Sequence, residues 1–374
     1  MPLDNRDLVR DLFTTGRLRV AVDPAELVPP RASSVPWNRV AGMLAGLAMG
    51  DSLGNTSESL VPAERHRRHG EIRDYLPNRY ADERPVGLPS DDTQLAYWTI
   101  QQMLEDGGLV PARLAARLAS GRIFGIGSTV RSFLDEWSRT GDWLASSQES
   151  AGNGALMRIA PVLLPHLRTP TAALWSDAVL AGAVTHNDYA SNAACVAFIA
   201  LLWDALAASP PVAPGFWLDR FIEVARRIEG DNPRYESRSR RHAGRLTTMW
   251  SFTEQVVSKA LQANTPAVEA CDDWYSGAFL LETVPSVLYV LERHGNDPEE
   301  AIVRAVNDTR DNDTVAAIVG AAVGALQGAD RLPRHWRGGL LGRTREDDDG
   351  KVWEIIEEAK RRWGEPSTGV TSAR

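Results

Sequence analysis

Residues 37–54 read WNRVAGMLAGLAMGDSLG, with Gly42, Gly46 and Gly50 four positions apart. That spacing lines them along one face of a helix, where missing side chains let a second backbone come close. Residues 314–328, TVAAIVGAAVGALQG, repeat the device with Gly320, Gly324 and Gly328. The uncharged run there is too short to cross a bilayer and suits a helix inside a protein core.

Outward from these two stretches the helical period recurs in QLAYWTIQQMLEDG, STVRSFLDEWSR, ASNAACVAFIALLWDAL, FWLDRFIEVARRI, SVLYVLERHG and KVWEIIEEAKRRWG. Alternating, strand-like runs are almost absent. The pattern predicts an all-α fold: a single compact multi-helix domain over residues 37–365, a proline-punctuated N-terminal arm at 1–36 and a flexible polar tail at 366–374. The arm, with Pro24, Pro29, Pro30 and Pro36, reads either as an extended lead-in strapped across the body or as a segment that binds a partner.

The chain has 374 residues, 43% apolar and 24% charged, the balance of a soluble globular protein. A formal net charge of −8 argues against nucleic acid as a partner, because Lys and Arg drive binding to phosphate backbones. One stretch, RRIEGDNPRYESRSRRHAGRL, gathers seven arginines and reads as a solvated connection between helices. The start, MPLDNRDLVRDLF, has no secretory pattern, so a cytoplasmic protein with no membrane partner is expected. Cys195 and Cys271 fall in helical segments and are expected as buried thiols, not a disulfide.

Chemistry concentrates at helix starts. In GLPSDDTQLAYWT, the group Ser90, Asp91, Asp92 and Thr93 precedes an apolar run; an N-cap needs one such residue, not four. Taken alone, the group also fits a cap matched to the helix dipole. AVNDTRDNDTVAAIVG, however, again collects Asp308, Asp311, Asp313 and Thr314 at the mouth of the second glycine-rich helix. Adjacent carboxylates repel and are expensive to desolvate, so two clusters opening interior helices need a cation. Oxygen ligands favour magnesium, manganese or calcium over zinc. The sequence contains no HExxH pair, no GxxxxGK[ST] loop and no GxSxG elbow. Two glycine turns, SAGNGALMR with Gly152, Asn153 and Gly154, and FGIGSTV with Gly125 and Gly127, are candidate diphosphate cradles or plain loops.

Together, GMLAGLAMGDSLGNTSE, SDDTQ, SAGNGALMR, the TH of AVTHND, GAFLLETVP and DNDTVAAIVGAAVGA resemble, in that order, the ADP-ribosylglycohydrolase family of the dinitrogenase-reductase-activating type. The resemblance spans about residues 37–328. It implies an all-helical fold holding two Mg2+ ions, with Mn2+ as a substitute, between the acidic motifs. Ser90, Asp91 and Asp92 would be ligands from the first motif, and Asp311, Asp313 and Thr314 from the second. Glu58, Asp91 and Asp313 would be the catalytic carboxylates. Ser150, Gly152, Asn153 and His186, with Gly125 and Gly127, match contacts to the diphosphate and distal ribose. The implied reaction removes ADP-ribose from a modified protein side chain, with arginine as the expected linkage.

Two departures stand out. Ser90 replaces the usual Thr but keeps its hydroxyl, and Thr309 and Arg310 stand where small residues are usual, so the floor or rim of the pocket is expected to differ. Terpenoid synthases, also helical and magnesium-dependent, fit Asp91 and Asp92 with Asn307 and Asp308 superficially. Asp311 and Val315 then stand where their second motif needs Ser/Thr and Glu. The alternative role is a binding or immunity protein, one that reverses an ADP-ribosyltransferase toxin and engages that toxin through residues 1–36.

Overall fold

The computed structural model describes residues 4–31 and 34–364; the expected tail at 366–374 lies outside them. At its centre the helices Trp37–Gly54 and Asn312–Gln327 cross antiparallel at backbone contact. The glycine stripes make this possible. A Cβ built on Gly46 would stand 2.2 Å from the Gly320 carbonyl oxygen, one on Gly50 2.0 Å from that of Ala316, and one on Gly324 2.0 Å from that of Gly42. Interiors are close-packed, so even a methyl group there would force the helices apart. The stripe runs on to Gly54, whose Cβ would meet the Asp313 backbone at 2.5 Å. The end of the first helix is therefore pinned against the acidic start of the second.

A shell of helices surrounds this pair. Tyr189–Ala207 is long and apolar enough to cross a membrane by composition, yet 89% of its most apolar window is buried, under Ala173–Ala183, Phe216–Glu229 and the second glycine helix. A helix apolar all round belongs in a core. Outer helices are two-faced: Lys351–Trp363 buries Val352, Ile355, Ile356, Ala359 and Trp363 at helical spacing and turns its charges outward. Both cysteines are free and buried.

The strands among the described residues are two antiparallel ladders of two residues each, Pro77–Asn78 with Arg84–Pro85 and Tyr235–Glu236 with Leu246–Thr247. The second lies in the arginine-rich connection and anchors it. Tyr235 is buried and its hydroxyl donates to Asp188, the N-cap of Tyr189–Ala207, at 2.7 Å.

The described part of the arm is strapped across the body, but it is not all extended. Arg6–Thr14 winds into a helix that the proline pattern does not announce. Val9 and Leu12 are buried from it, and Leu18, Val20 and Leu27 follow them into the core. Asn5 donates to the Leu109 carbonyl (3.0 Å) and to Asp177 (2.7 Å), while the indoles of Trp175 and Trp203 donate to the carbonyls of Val28 and Arg31.

Candidate active site

The crossing of the glycine helices brings three chain segments to one place: the turn after Gly54 that carries Glu58, the start of Asp91–Asp106, and the start of Asn312–Gln327. Carboxylate oxygens of Asp51, Asp92 and Asp313 lie within 4.8 Å of one another, and so do those of Glu58, Asp311 and Asp313. Asp313 belongs to both groups. Burial first, then the charge of neighbouring acids, pushes the carboxyls of Asp91, Asp92 and Asp313 well above the usual range. Glu58, open to solvent on its outer side, is raised by desolvation of its carboxyl and by the charges of Asp311 and Asp51. Asp311 is raised by burial, an effect partly offset by a hydrogen bond from Asn153.

Asp92 Oδ1 is buried with no hydrogen-bond partner in the protein. An orphaned carboxylate oxygen among converging acids is the donor set a hard divalent cation requires, and a cation would return these groups to their ionised form. The residues present therefore fit the divalent ions that the family resemblance implies.

Asp51 is the member of this cluster that the sequence reading passed over. It accepts from Ser90 N (2.9 Å) and Oγ (2.6 Å), from Thr93 N (3.1 Å) and Oγ1, and from Asn55 Nδ2 (3.0 Å). The N-terminus of Asp91–Asp106 is thus capped by a carboxylate from another helix. The Ser90 hydroxyl sits between two of these aspartates, donating to Asp51 and standing 3.3 Å from Asp92 Oδ2. Asp51 is the one charged residue after Arg39 in that glycine helix, and this is the signal that marks it.

Arg65 also escaped the sequence reading. It is buried, and its guanidinium donates to the carbonyls of Thr309 (2.7 Å) and Leu60 (2.8 Å) and to Ser57 Oγ (3.1 Å), tying the Glu58 turn to the second acidic motif. PAERHRRH gives no sign of this, because it reads as a short surface helix.

A cavity of about 360 Å3 runs from Glu58, Asp91, Asp92, Asp311, Asp313 and Thr314 to Gly125, Gly127, Ser150, Gly152 and His186. Gly125 has φ +74°, and a Cβ there would stand 3.2 Å from Asp91 Oδ1, so conformation and space both call for glycine. The two glycine turns touch, since Thr129 Oγ1 is 3.0 Å from Ser150 Oγ, which in turn accepts from Gly152 N (3.2 Å). His186 is pushed down to about 3 by burial and by the nearby charge of Arg158, so its ring is neutral at ordinary pH. Asn153 lines the cavity, yet its amide donates to Asp311 and to Thr283 Oγ1 (3.0 Å), holding the second motif in place.

Three expectations need correcting. The arginine-rich connection is not wholly solvated: Arg238 lines the cavity, paired at 2.7 and 2.6 Å with the fully buried Glu282, and its guanidinium lies 5.1 Å from the Phe279 ring. Thr309 and Arg310 do not shape the floor or rim. Thr309 is buried with its hydroxyl on the Ala305 carbonyl (2.7 Å), and Arg310 turns outward to Asp272 (2.9 Å) and the Tyr275 ring. Asp308 stands apart from the cluster, 3.4 Å from Arg304.

Comparison with known proteins points the same way. The family model described as ADP-ribosylglycohydrolase matches residues 33–365. The chain is 27% identical over 314 residues to the ADP-ribosylarginine hydrolase Tri1 of Pseudomonas putida (strain GB-1), covering 80% of this chain and 73% of that one. It is 25% identical over 306 residues to the ADP-ribosyl-[dinitrogen reductase] glycohydrolase of Rhodospirillum rubrum, covering 80% and 89%. It is also 25% identical over 338 residues to the human ADP-ribosylhydrolase ARH3, covering 83% and 91%. Among solved structures, one titled ADP-ribosylglycohydrolase-related protein complex shares the fold, with a TM-score of 0.63 at 24% identity over 87% of this chain and 97% of that one.

Proposed function

Because this chain belongs to the ADP-ribosylglycohydrolase family, we propose that it hydrolyses the bond between ADP-ribose and an arginine side chain of a modified protein. One observation carries the reading: a single cavity joins two carboxylate groups that share Asp313 to a glycine-lined end bearing a neutral histidine. The arginine linkage is supported by two bacterial relatives named as ADP-ribosylarginine hydrolases.

Ser90, Asp91, Asp92, Asp311, Asp313 and Thr314, with Glu58 at the rim, are the groups that would hold two Mg2+ ions, or Mn2+ in their place. Bound there, the ions would fix the proximal ribose hydroxyls and make a water molecule more acidic. Asp51 keeps the first motif in register by capping its helix, and Asn153 and Arg65 do the same for the second. Glu58, on the open side of the acidic cluster, accepts the proton of the attacking water at a carboxylate oxygen. The water oxygen bonds to the anomeric carbon, the bond to the guanidine nitrogen breaks through an oxocarbenium-like transition state, and the proton passes to the departing nitrogen.

The test is to supply arginine-linked ADP-ribosylated protein with Mg2+, with and without a chelator, and to measure released ADP-ribose. Release that stops with chelator is expected. Release that continues unchanged would overturn the metal assignment, and release from serine-linked but not arginine-linked substrate would overturn the acceptor.

A further inference from the structure

Behind the Gly152–Gly154 turn lies a buried cation that the reaction above does not use. Arg158 is fully buried, and its Nη2 donates to the Ala181 carbonyl (3.0 Å) and to Thr185 Oγ1 (2.8 Å). Its Nε and Nη1 are buried without partners, and among the described residues no carboxylate pairs with it. Burial pushes Arg158 down to about 10, which leaves it protonated at neutral pH. A guanidinium held in this way is costly, so what it touches bears on why it is there.

It touches a hydroxyl whose direction is then fixed. Arginine only donates, so Thr185 Oγ1 accepts from it. The hydroxyl carries one hydrogen, and the acceptor within reach is His186 Nδ1, at 2.8 Å. A neutral imidazole that accepts at Nδ1 carries its hydrogen on Nε2. Nε2 faces the cavity beside the glycine turn: Cβ atoms built on Gly154 and Gly152 would stand 3.2 and 3.5 Å from it. Among the described residues no protein acceptor takes a hydrogen bond from it.

We propose that Arg158 is a positioning residue that, through the Thr185 hydroxyl, locks His186 as the Nε2–H tautomer and so aims a neutral donor at the diphosphate of ADP-ribose seated on the glycine turns. The diphosphate rests on the function proposed above; the tautomer does not. A donor of fixed direction loses nothing to tautomer exchange when an anion arrives, and its neutrality keeps it from pairing with the carboxylates at the far end of the cavity.

Heteronuclear NMR of the His186 ring nitrogens in ligand-free, metal-free protein tests the lock directly. The Nε2–H form is expected in the unaltered protein and in Thr185→Ser, and a mixture of forms in Thr185→Val. An Nδ1–H ring in the unaltered protein, or ring shifts unmoved by Thr185→Val, overturns the proposal. Titration with ADP-ribose in the presence of Mg2+ tests its purpose. About tenfold weaker binding is expected in Thr185→Val, with Thr185→Ser close to the unaltered protein and KM raised more than kcat is lowered. Equal affinity in all three would overturn the donor role. Failure of the unaltered protein to bind ADP-ribose would count against the function while leaving the tautomer result standing. Arg158→Met should repeat the Thr185→Val spectrum where it folds; Thr185→Val carries the test where it does not.

Discussion

At one end of the cavity Asp92, Asp311 and Asp313 begin helices whose positions are set by backbone contact, by the cap that Asp51 supplies and by the bond from Asn153 to Asp311; at the other, Gly125, Gly152 and His186 sit on turns and present neutral groups. The acidic end raises the energy of the empty protein through burial and repulsion, so it needs a rigid scaffold. The glycine end needs close approach, and turns provide it. The difference teaches where each kind of substitution should be felt: charge changes alter metal binding and pH behaviour, while changes at the turns alter ligand affinity.

The sharpest way to break this contrast is Asp313→Ala, which removes the carboxylate shared by both groups. Turnover should fall by about a thousandfold or more, and Mn2+ binding measured by calorimetry should vanish. The circular dichroism spectrum should stay unchanged, because a repelling charge has been taken away. Next is Asp51→Ala, which removes the cap on Asp91–Asp106. Metal affinity should drop roughly 10- to 100-fold, with about 1–2 kcal/mol lost in denaturant unfolding. A substitution at Asp51 that left metal affinity intact would show that the first motif holds its register without help.

The acidic end also predicts a pH signature. Asp91, Asp92 and Asp313 are raised in the folded protein, so the folded state binds more protons than the unfolded one above the ordinary carboxylate range. Asp308, raised to about 6, acts in the same direction. Stability of the metal-free protein should therefore be greatest below the unfolded carboxylate values and fall as pH rises through the raised ones. Adding Mg2+ should reverse the trend, raising the melting temperature by several degrees at pH 7 and by less at pH 5, since ions bind the deprotonated groups. A metal-free melting temperature that climbs steadily from pH 4 to 7 would contradict the arrangement. The smallest effect is expected from Asn5→Ala, far from both ends. It should cost about 1 kcal/mol through the lost bonds to Leu109 and Asp177 and leave turnover untouched.

Much of this was readable from local spacing. Gly42, Gly46 and Gly50 declare a helix face, and SDDT and DNDT declare crowded helix starts, because both signals lie within a few residues of one chain segment. What escaped depends on distant partners. Asp51 matters because it caps a helix whose first turn lies 39 residues further on. Arg238 is one of seven arginines in a single stretch, and only Glu282 and Phe279, brought in by another helix, single it out. Arg310 points outward because Asp272 and Tyr275 wait there. The Arg6–Thr14 helix has a short amphipathic period, Leu8, Val9, Leu12 and Phe13, which the prolines further along the arm overshadow.

The glycine crossing has a consequence for how the chain comes into being. Asn312 bonds the Gly54 carbonyl across 258 positions of sequence, so the first glycine helix leaves the ribosome long before its partner exists. Until residue 327 has emerged, a bare glycine face has nothing to lie against, and neither core nor acidic cluster can close. A message cut short anywhere upstream of Asn312 should therefore yield a product for the proteases, with no residual hydrolase.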